Sequence, residues 1–167
     1  MKPGKIASMG LIQIPEGRKL FPLMTVKENL EIGAYLRKDK KEVRRNMNRV
    51  LNLFPILKEK LNADSRELSG GQQQMVAIAR GMMANPEMLM LDEPSLGLSP
   101  LIRQQLAETI KEIHRDGVTI ILVEQNARLG LLLANYGYVL ENGELSLQGK
   151  TSDLLNNDDV KKAYLGV

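Results

Sequence analysis

The 167-residue sequence contains no cysteine and no tryptophan, and aromatic residues make up only 4% of it. The absence of cysteine excludes disulfides and thiolate metal sites and fits a reducing compartment. With so few rings, the core falls to Leu, Ile, Val and the nine Met, whose flexible thioethers fill irregular gaps. No stretch approaches the roughly 20 consecutive apolar residues that a membrane-spanning helix needs. Met1-Lys2-Pro3-Gly4-Lys5 is not followed by the apolar core of a signal peptide, so any membrane role is expected to be peripheral. A strong charge excess is missing as well. The 23 basic residues stand against 20 acidic ones, and the net +3 reads as spread along the chain, with no nucleic-acid-binding face and no nucleic acid expected as partner. The 43% of apolar residues suffices for one globular domain, or for two small subdomains.

Several segments carry periodicity. Met9 to Pro15 alternates and is β-branched before a Pro-Glu-Gly turn, which predicts a short strand running into a loop. Apolar residues recur at helical spacing from Val26 to about Leu36 and from Lys41 to about Leu57, with the solvated charge run Arg37 to Lys41 between them. Ser69 to Ala84 reads as a helix with Met75, Ile78, Ala79 and Met82 on one face, ended by Asn85-Pro86. Met88-Leu89-Met90-Leu91 is too short for a helix and suits a strand buried on both faces, stopping at Asp92-Glu93-Pro94. Ser99-Pro100 starts a helix and Gly117 stops it. Val118–Val123 is a second buried strand by the same reasoning, so strand, helix and strand form a parallel crossover and the sheet is mostly parallel. Asn142-Gly143 joins Tyr138–Leu140 and Leu145–Leu147 as a tight hairpin, and a short helix from about Ser152 closes the chain.

Two motifs carry chemistry. In Leu68-Ser69-Gly70-Gly71-Gln72 the serine and the glutamine three residues on make a capping box, which alone means only a well-started helix. The two glycines argue for more, because they destabilise a helix start while letting a ligand approach exposed N–H groups at its positive end. Phosphate is the anion expected there. Downstream, Asp92 and Glu93 end a strand at the carboxyl edge of a parallel sheet, where such folds bind ligands. Asp92 can hold Mg²⁺ directly or through water, and Glu93 can orient and deprotonate an attacking water. The lone histidine, His114, reads as a helix-end residue favoured by the dipole rather than as a catalyst.

Leu68-Ser69-Gly70-Gly71-Gln72 with Gln73-Gln74-Met75 resembles the ABC signature motif, and Met88 to Pro94 resembles the Walker B strand with its catalytic glutamate. More narrowly, Ile14 to Arg18, Asp92 to Pro100, Leu122 to Asn126 and Ala163 to Gly166 look like the ATP-binding subunits of branched-chain amino-acid importers, whose switch loop reads Glu-Gln-Asn. The resemblance covers essentially the whole chain. It implies an α/β, P-loop NTPase core with a helical subdomain at about 22–84, the rest of the core at 1–21 and 85–167, and a C-terminal β-hairpin. It implies ATP as substrate with Mg²⁺ at Asp92 and Glu16, general base Glu93, and Gln125 in the place of the switch histidine. Gln125 can hydrogen-bond a phosphate but cannot carry a positive charge. The D-loop falls on Ser95, Leu96, Gly97, Leu98 and Ser99, with Ser99 replacing the usual aspartate. Ser69, Gly70, Gly71 and Gln72 act across a dimer on ATP held by a second ABC ATPase subunit, and the Glu16 loop with the helical part meets the transmembrane permease subunits, which places the protein on the cytoplasmic face of the membrane.

One element of that family is not found: no Gly-x-x-x-x-Gly-Lys-[Ser/Thr] occurs in the chain. That loop supplies the backbone nest and the lysine that hold the phosphates. The expectation is therefore a fragment lacking roughly the first third of the family's domain, inactive alone, with unpaired apolar strand edges at Val118–Val123 and near Tyr138–Leu140. Two rival readings accompany it: a nucleotide-incompetent interaction partner of the transporter or of an intact ATPase, and a soluble ABC protein of translation or DNA repair.

Overall fold

The computed structural model describes residues 1–161 and divides the chain into two units, Met1–Ile121 and Leu122–Val167. The first unit opens with α1 (Pro3–Ser8) and β1 (Leu11–Ile14), followed by the helices α2 (Val26–Gly33), α3 (Lys40–Leu53), α4 (Pro55–Glu59) and α5 (Gly70–Met82). It continues through β2 (Met88–Asp92), α6 (Pro100–Arg115) and the start of β3 (Thr119–Val123). The second holds α7 (Ala127–Leu133), β4 (Tyr136–Glu141), β5 (Glu144–Lys150), α8 (Thr151–Leu154) and α9 (Asp158–Val160). The Ala163 to Gly166 motif lies outside the described residues.

β1 and β2 pair in parallel, with Ile12 opposite Leu89 and Ile14 opposite Leu91. Paired residues point to the same face, and α5 covers that face. A Cβ on Gly81 of α5 would stand 2.9 Å from Ile14 Cδ1 and 3.4 Å from Ile12 Cγ2, so glycine is what lets this helix lie so close to the strand. α5 is wrapped by protein on more than the one expected face, with Val76 and Ala77 as buried as Ile78 and Ala79. α2 crosses it at Gly33, whose missing Cβ leaves room for the Arg80 carbonyl.

Three expectations change. The segment 41–57 is not one helix: Pro55 has no N–H to donate and forces the residue before it out of the helical region. α3 therefore ends at Leu53, and α4 restarts with Pro55 at its first position. β2 is not buried on both faces, since Leu89 and Leu91 are buried while Met88 and Met90 are only partly so. β3 departs further, leaving Ile121 43% and Val123 52% exposed. It is last in the sheet order β1-β2-β3, and an edge strand lacks the second neighbour that would help to cover it.

The hairpin forms as the Asn-Gly pair dictates, with both Asn142 and Gly143 at positive φ, and a register shift follows Val139. Its strands are exposed at Tyr138 and Leu140, and the second unit gathers its core instead around Leu131, Leu154 and Val160. The closing helix resolves into two short ones, α8 and α9. α1 and α7, six and seven residues long, are below the length at which periodicity is readable in a sequence.

Candidate functional site

The start of α5 is built as its sequence demands. Ser69 sits at the N-cap with extended backbone, its Oγ accepts from the Gln72 amide at 3.3 Å, and Gln72 Oε1 accepts from the Ser69 amide at 3.0 Å. The glycines, however, have packing reasons that sequence reasoning did not provide. A Cβ on Gly71 would meet Ile102 Cγ2 of α6 at 2.7 Å, and one on Gly70 would meet the Arg18 guanidinium at 3.0 Å. Gly71 thus brings the signature residues against the first turn of α6. That turn is itself capped by Ser99, whose Oγ accepts from the Ile102 amide at 3.5 Å. Ile102, in the turn that Ser99 caps, can lie against the start of α5 because Gly71 lacks a side chain.

Arg18 is the residue that sequence reasoning missed. It lies in a tight turn after β1 in which Gly17, Arg18 and Lys19 all have positive φ, and the Lys19 amide donates to the Gly17 carbonyl at 2.6 Å. From there its Nη1 donates to Gln73 Oε1 at 3.0 Å, while Gln73 Nε2 donates to the Ser65 carbonyl at 3.1 Å. The Arg18 carbonyl in turn accepts from Arg80 Nη2 at 3.2 Å. Arg80 lies over the Phe21 ring at 5.8 Å, and burial pushes its guanidinium below the ordinary arginine value. The turn carrying Glu16 is therefore tied to α5 at both the Gln73 and the Arg80 end. The only prior signal was a non-glycine residue after Pro-Glu-Gly, which says nothing of a positive φ.

The acidic pair ends β2. Asp92 is one residue beyond the last pairing of β2 with β1, so it and the partly exposed turn at Pro15-Glu16 share the carboxyl edge of the parallel pair. Glu93 has φ +43°, an unusual value for a side chain other than glycine or asparagine, and its carbonyl accepts from the Leu96 amide at 3.2 Å. A second turn closes from Leu98 N to the Ser95 carbonyl, with Ser95 and Leu98 buried, Leu96 exposed and Gly97 at φ +69°. Among the described residues no group of three or more His, Asp or Glu could hold a metal. Gln125 belongs to the second unit, exposed immediately before Asn126, whose side chain caps α7 by accepting from the Leu129 amide. His114 lies near the end of α6 with Nδ1 3.2 Å from the Val118 carbonyl, a local contact that gives the ring a structural task.

A parallel sheet with an acidic pair at its carboxyl edge, and a capped glycine-rich helix start braced on the following helix, places the chain in the α/β class. The family model described as ABC transporter matches residues 5–96. The high-affinity branched-chain amino acid transport ATP-binding protein BraG of Pseudomonas aeruginosa is 49% identical over 92% of this chain, and the chain spans 65% of that relative's length. Among solved structures, the ADP conformation of an ATP-binding cassette of an ABC transporter superposes on the whole chain and 72% of its own, with TM-score 0.83 and 24% identity. A dimeric post-hydrolysis cassette bound to ADP and Pi matches 90% of this chain and 68% of its own, with TM-score 0.77 and 23% identity. The chain belongs to the ABC transporter family.

Proposed function

We propose that the protein serves an importer of branched-chain amino acids, contributing to ATP hydrolysis coupled to transport at the inner face of the membrane. The relative from Pseudomonas supports the substrate class, and the dimeric neighbour supports a site shared between two ATPase subunits. The observation that carries the reading is the pre-formed start of α5: Ser69 and Gln72 in a complete capping box, Gly71 seated on Ile102, and Ser99 capping the same turn of α6. Such an end presents amide donors and a positive dipole to an anion without further reorganisation.

Each side chain then has a task. Ser69, Gly70, Gly71 and Gln72 close over the γ-phosphate of ATP held by the partner ATPase subunit. Asp92 and Glu16, on one sheet edge, offer the one or two carboxylates that Mg²⁺ takes alongside waters and phosphates, so the small donor set fits this ion. Mg²⁺ bound there would neutralise charge on the phosphate oxygens. Glu93 accepts the proton of the attacking water, and Gln125 donates a hydrogen bond to phosphate or water. Ser95–Ser99 faces the partner as the D-loop. The Glu16 turn and the helical segment 22–84 meet the permease subunits. Of these tasks, the trans contacts of Ser69–Gln72 need no Gly-Lys-[Ser/Thr] cradle in this chain, whereas those of Asp92, Glu16, Glu93 and Gln125 do.

The test mixes this chain with an intact family cassette whose own signature serine has been replaced, and follows phosphate release. Added chain is expected to raise hydrolysis severalfold, and Ser69→Arg to abolish the gain. No gain, or a gain indifferent to Ser69→Arg, refutes the reading. Titration calorimetry of the chain alone with Mg-ATP is expected to show no saturable heat at micromolar concentrations.

A further inference from the structure

Residues 37–45 hold six basic and two acidic side chains, a net +4 that exceeds the +3 of the whole chain. The positive charge is therefore concentrated rather than spread. Both acids are engaged locally, Asp39 as the N-cap of α3 accepting from the Lys41 amide and Glu42 in an ion pair with Arg37. Arg37 also turns inward to the Ala84 carbonyl, and further along α3 Arg49 pairs with Asp116 at 3.1 Å. Lys40, Lys41, Arg44 and Arg45 are left exposed, and among the described residues none of them forms an ion pair. With Asn48 they line a shallow open groove without one carboxylate. Their spacing places them along one stripe of the first half of the helix; buried Asn46 and Val50 lie elsewhere around it, and buried Leu51 lies two turns further on.

This arrangement opposes local stability twice over. Lys40 with Arg44 and Lys41 with Arg45 are like charges four residues apart, which repel on a helix surface. Lys40 and Lys41 also occupy the first turn of α3, where the macrodipole favours anions. A polyanion laid along the stripe removes both penalties. The groove is shallow and open, so it does not enclose a small anion, and no aromatic side chain lines it for base stacking. The turn before α3 exposes Tyr35 and Leu36, side chains suited to the boundary between headgroups and acyl chains. Clusters of four or more Lys and Arg on a helix are the pattern by which proteins attach to anionic bilayers.

We propose that Lys40, Lys41, Arg44 and Arg45 form a docking surface for anionic phospholipid headgroups, by which the protein touches the bilayer itself. Each cation near such a surface strengthens binding about fivefold. The full chain should co-sediment with phosphatidylglycerol-containing vesicles at low ionic strength, bind pure phosphatidylcholine vesicles far more weakly, and release at high salt. The triple variant K41E/R44E/R45E, which removes three cations and adds three acids, should bind the anionic vesicles at least about a hundredfold more weakly. The control K58E/K111E, elsewhere on the surface, should bind as the unaltered chain does. Acids near the N-terminus of α3 favour the helix, so unchanged circular dichroism of the triple variant is expected and a misfolded variant is not the explanation of lost binding. Equal binding to neutral vesicles, or undiminished binding by the triple variant, overturns the proposal. Displacement by inorganic phosphate too dilute to screen charge would mean a discrete anion pocket, and preferential capture by duplex DNA at matched charge a nucleic-acid face; either also overturns it.

Discussion

Single side chains hold the loop after β1 in place, and their loss has distinguishable consequences. Asn29 is fully buried in α2, its amide within hydrogen-bond distance of the Phe21, Met24 and Thr25 carbonyls and of Ser65 Oγ, while its Oδ1 accepts from the Phe21 amide at 3.0 Å. Asn29→Ala strands several buried polar groups at once and should lower stability by about 2–3 kcal/mol in urea unfolding. Arg18→Ala removes one part-buried hydrogen bond to Gln73 and should cost about 1 kcal/mol. Because that bond braces the start of α5, its larger effect should be on the hydrolysis gained in mixture with an intact cassette. Arg18→Lys, retaining one donor, should restore part of that gain.

Glu28 responds to pH. Its carboxylate accepts from the Thr25 amide at 2.8 Å and the Thr25 hydroxyl at 2.7 Å, and these bonds hold it below its ordinary value of 4.5. A carboxyl lowered in the folded state contributes stability that is complete above 4.5 and fades as pH falls through the lower folded value. Glu28→Gln should therefore be somewhat less stable than the unaltered chain at neutral pH and flatten the acid limb of the stability profile, the two converging as pH falls through the lower folded value.

At the scale of elements, close approach decides the architecture. α5 lies against α2 through Gly33, against β1 through Gly81 and against α6 through Gly71. Gly71→Ala must push Ile102 away and should cost about 1–3 kcal/mol, read as a fall in thermal midpoint. The same substitution moves the start of α5 away from Ile102 of α6, so it should also reduce the hydrolysis gain. Gly33→Ala, set against backbone that cannot give way, should be the more disruptive of the two. If both variants unfold like the unaltered chain, the helix contacts described are not the ones that hold α5.

For the molecule as a whole, the consequence is an exposed apolar edge. Ile121 and Val123 of β3 stand half in solvent on the last strand of the sheet. Such an edge invites pairing with another strand. Val123→Lys should lower the light scattering of concentrated solutions at neutral pH without changing the circular dichroism spectrum. If scattering is unaffected, association proceeds through another surface.

Much of this was legible in order and not in contact. Ser69 with Gln72, Ser99 with Pro100, and Asn142 with Gly143 act on backbone within a few residues, so their caps and turn follow from local chemistry alone and stand where the residues announce them. The acidic pair likewise fell at a strand's end because the apolar run stops there. Burial could not be read this way. Val118–Val123 and Met88–Leu91 carry the composition of strands buried on both faces, yet burial depends on what lies beside them, and no residue within a strand reports its neighbours. Gly70 and Gly71 looked like openings for a ligand, but Arg18 and Ile102, some fifty and thirty residues away in sequence, fill the space beside them. The sequence by itself determined the order of the longer elements, the caps at Ser69 and Ser99, and the family. Tertiary structure alone decided which faces are covered, why the signature glycines are glycines, and that a turn sixteen residues into the chain braces a helix that starts at Gly70, because those depend on distances between segments that local chemistry does not encode.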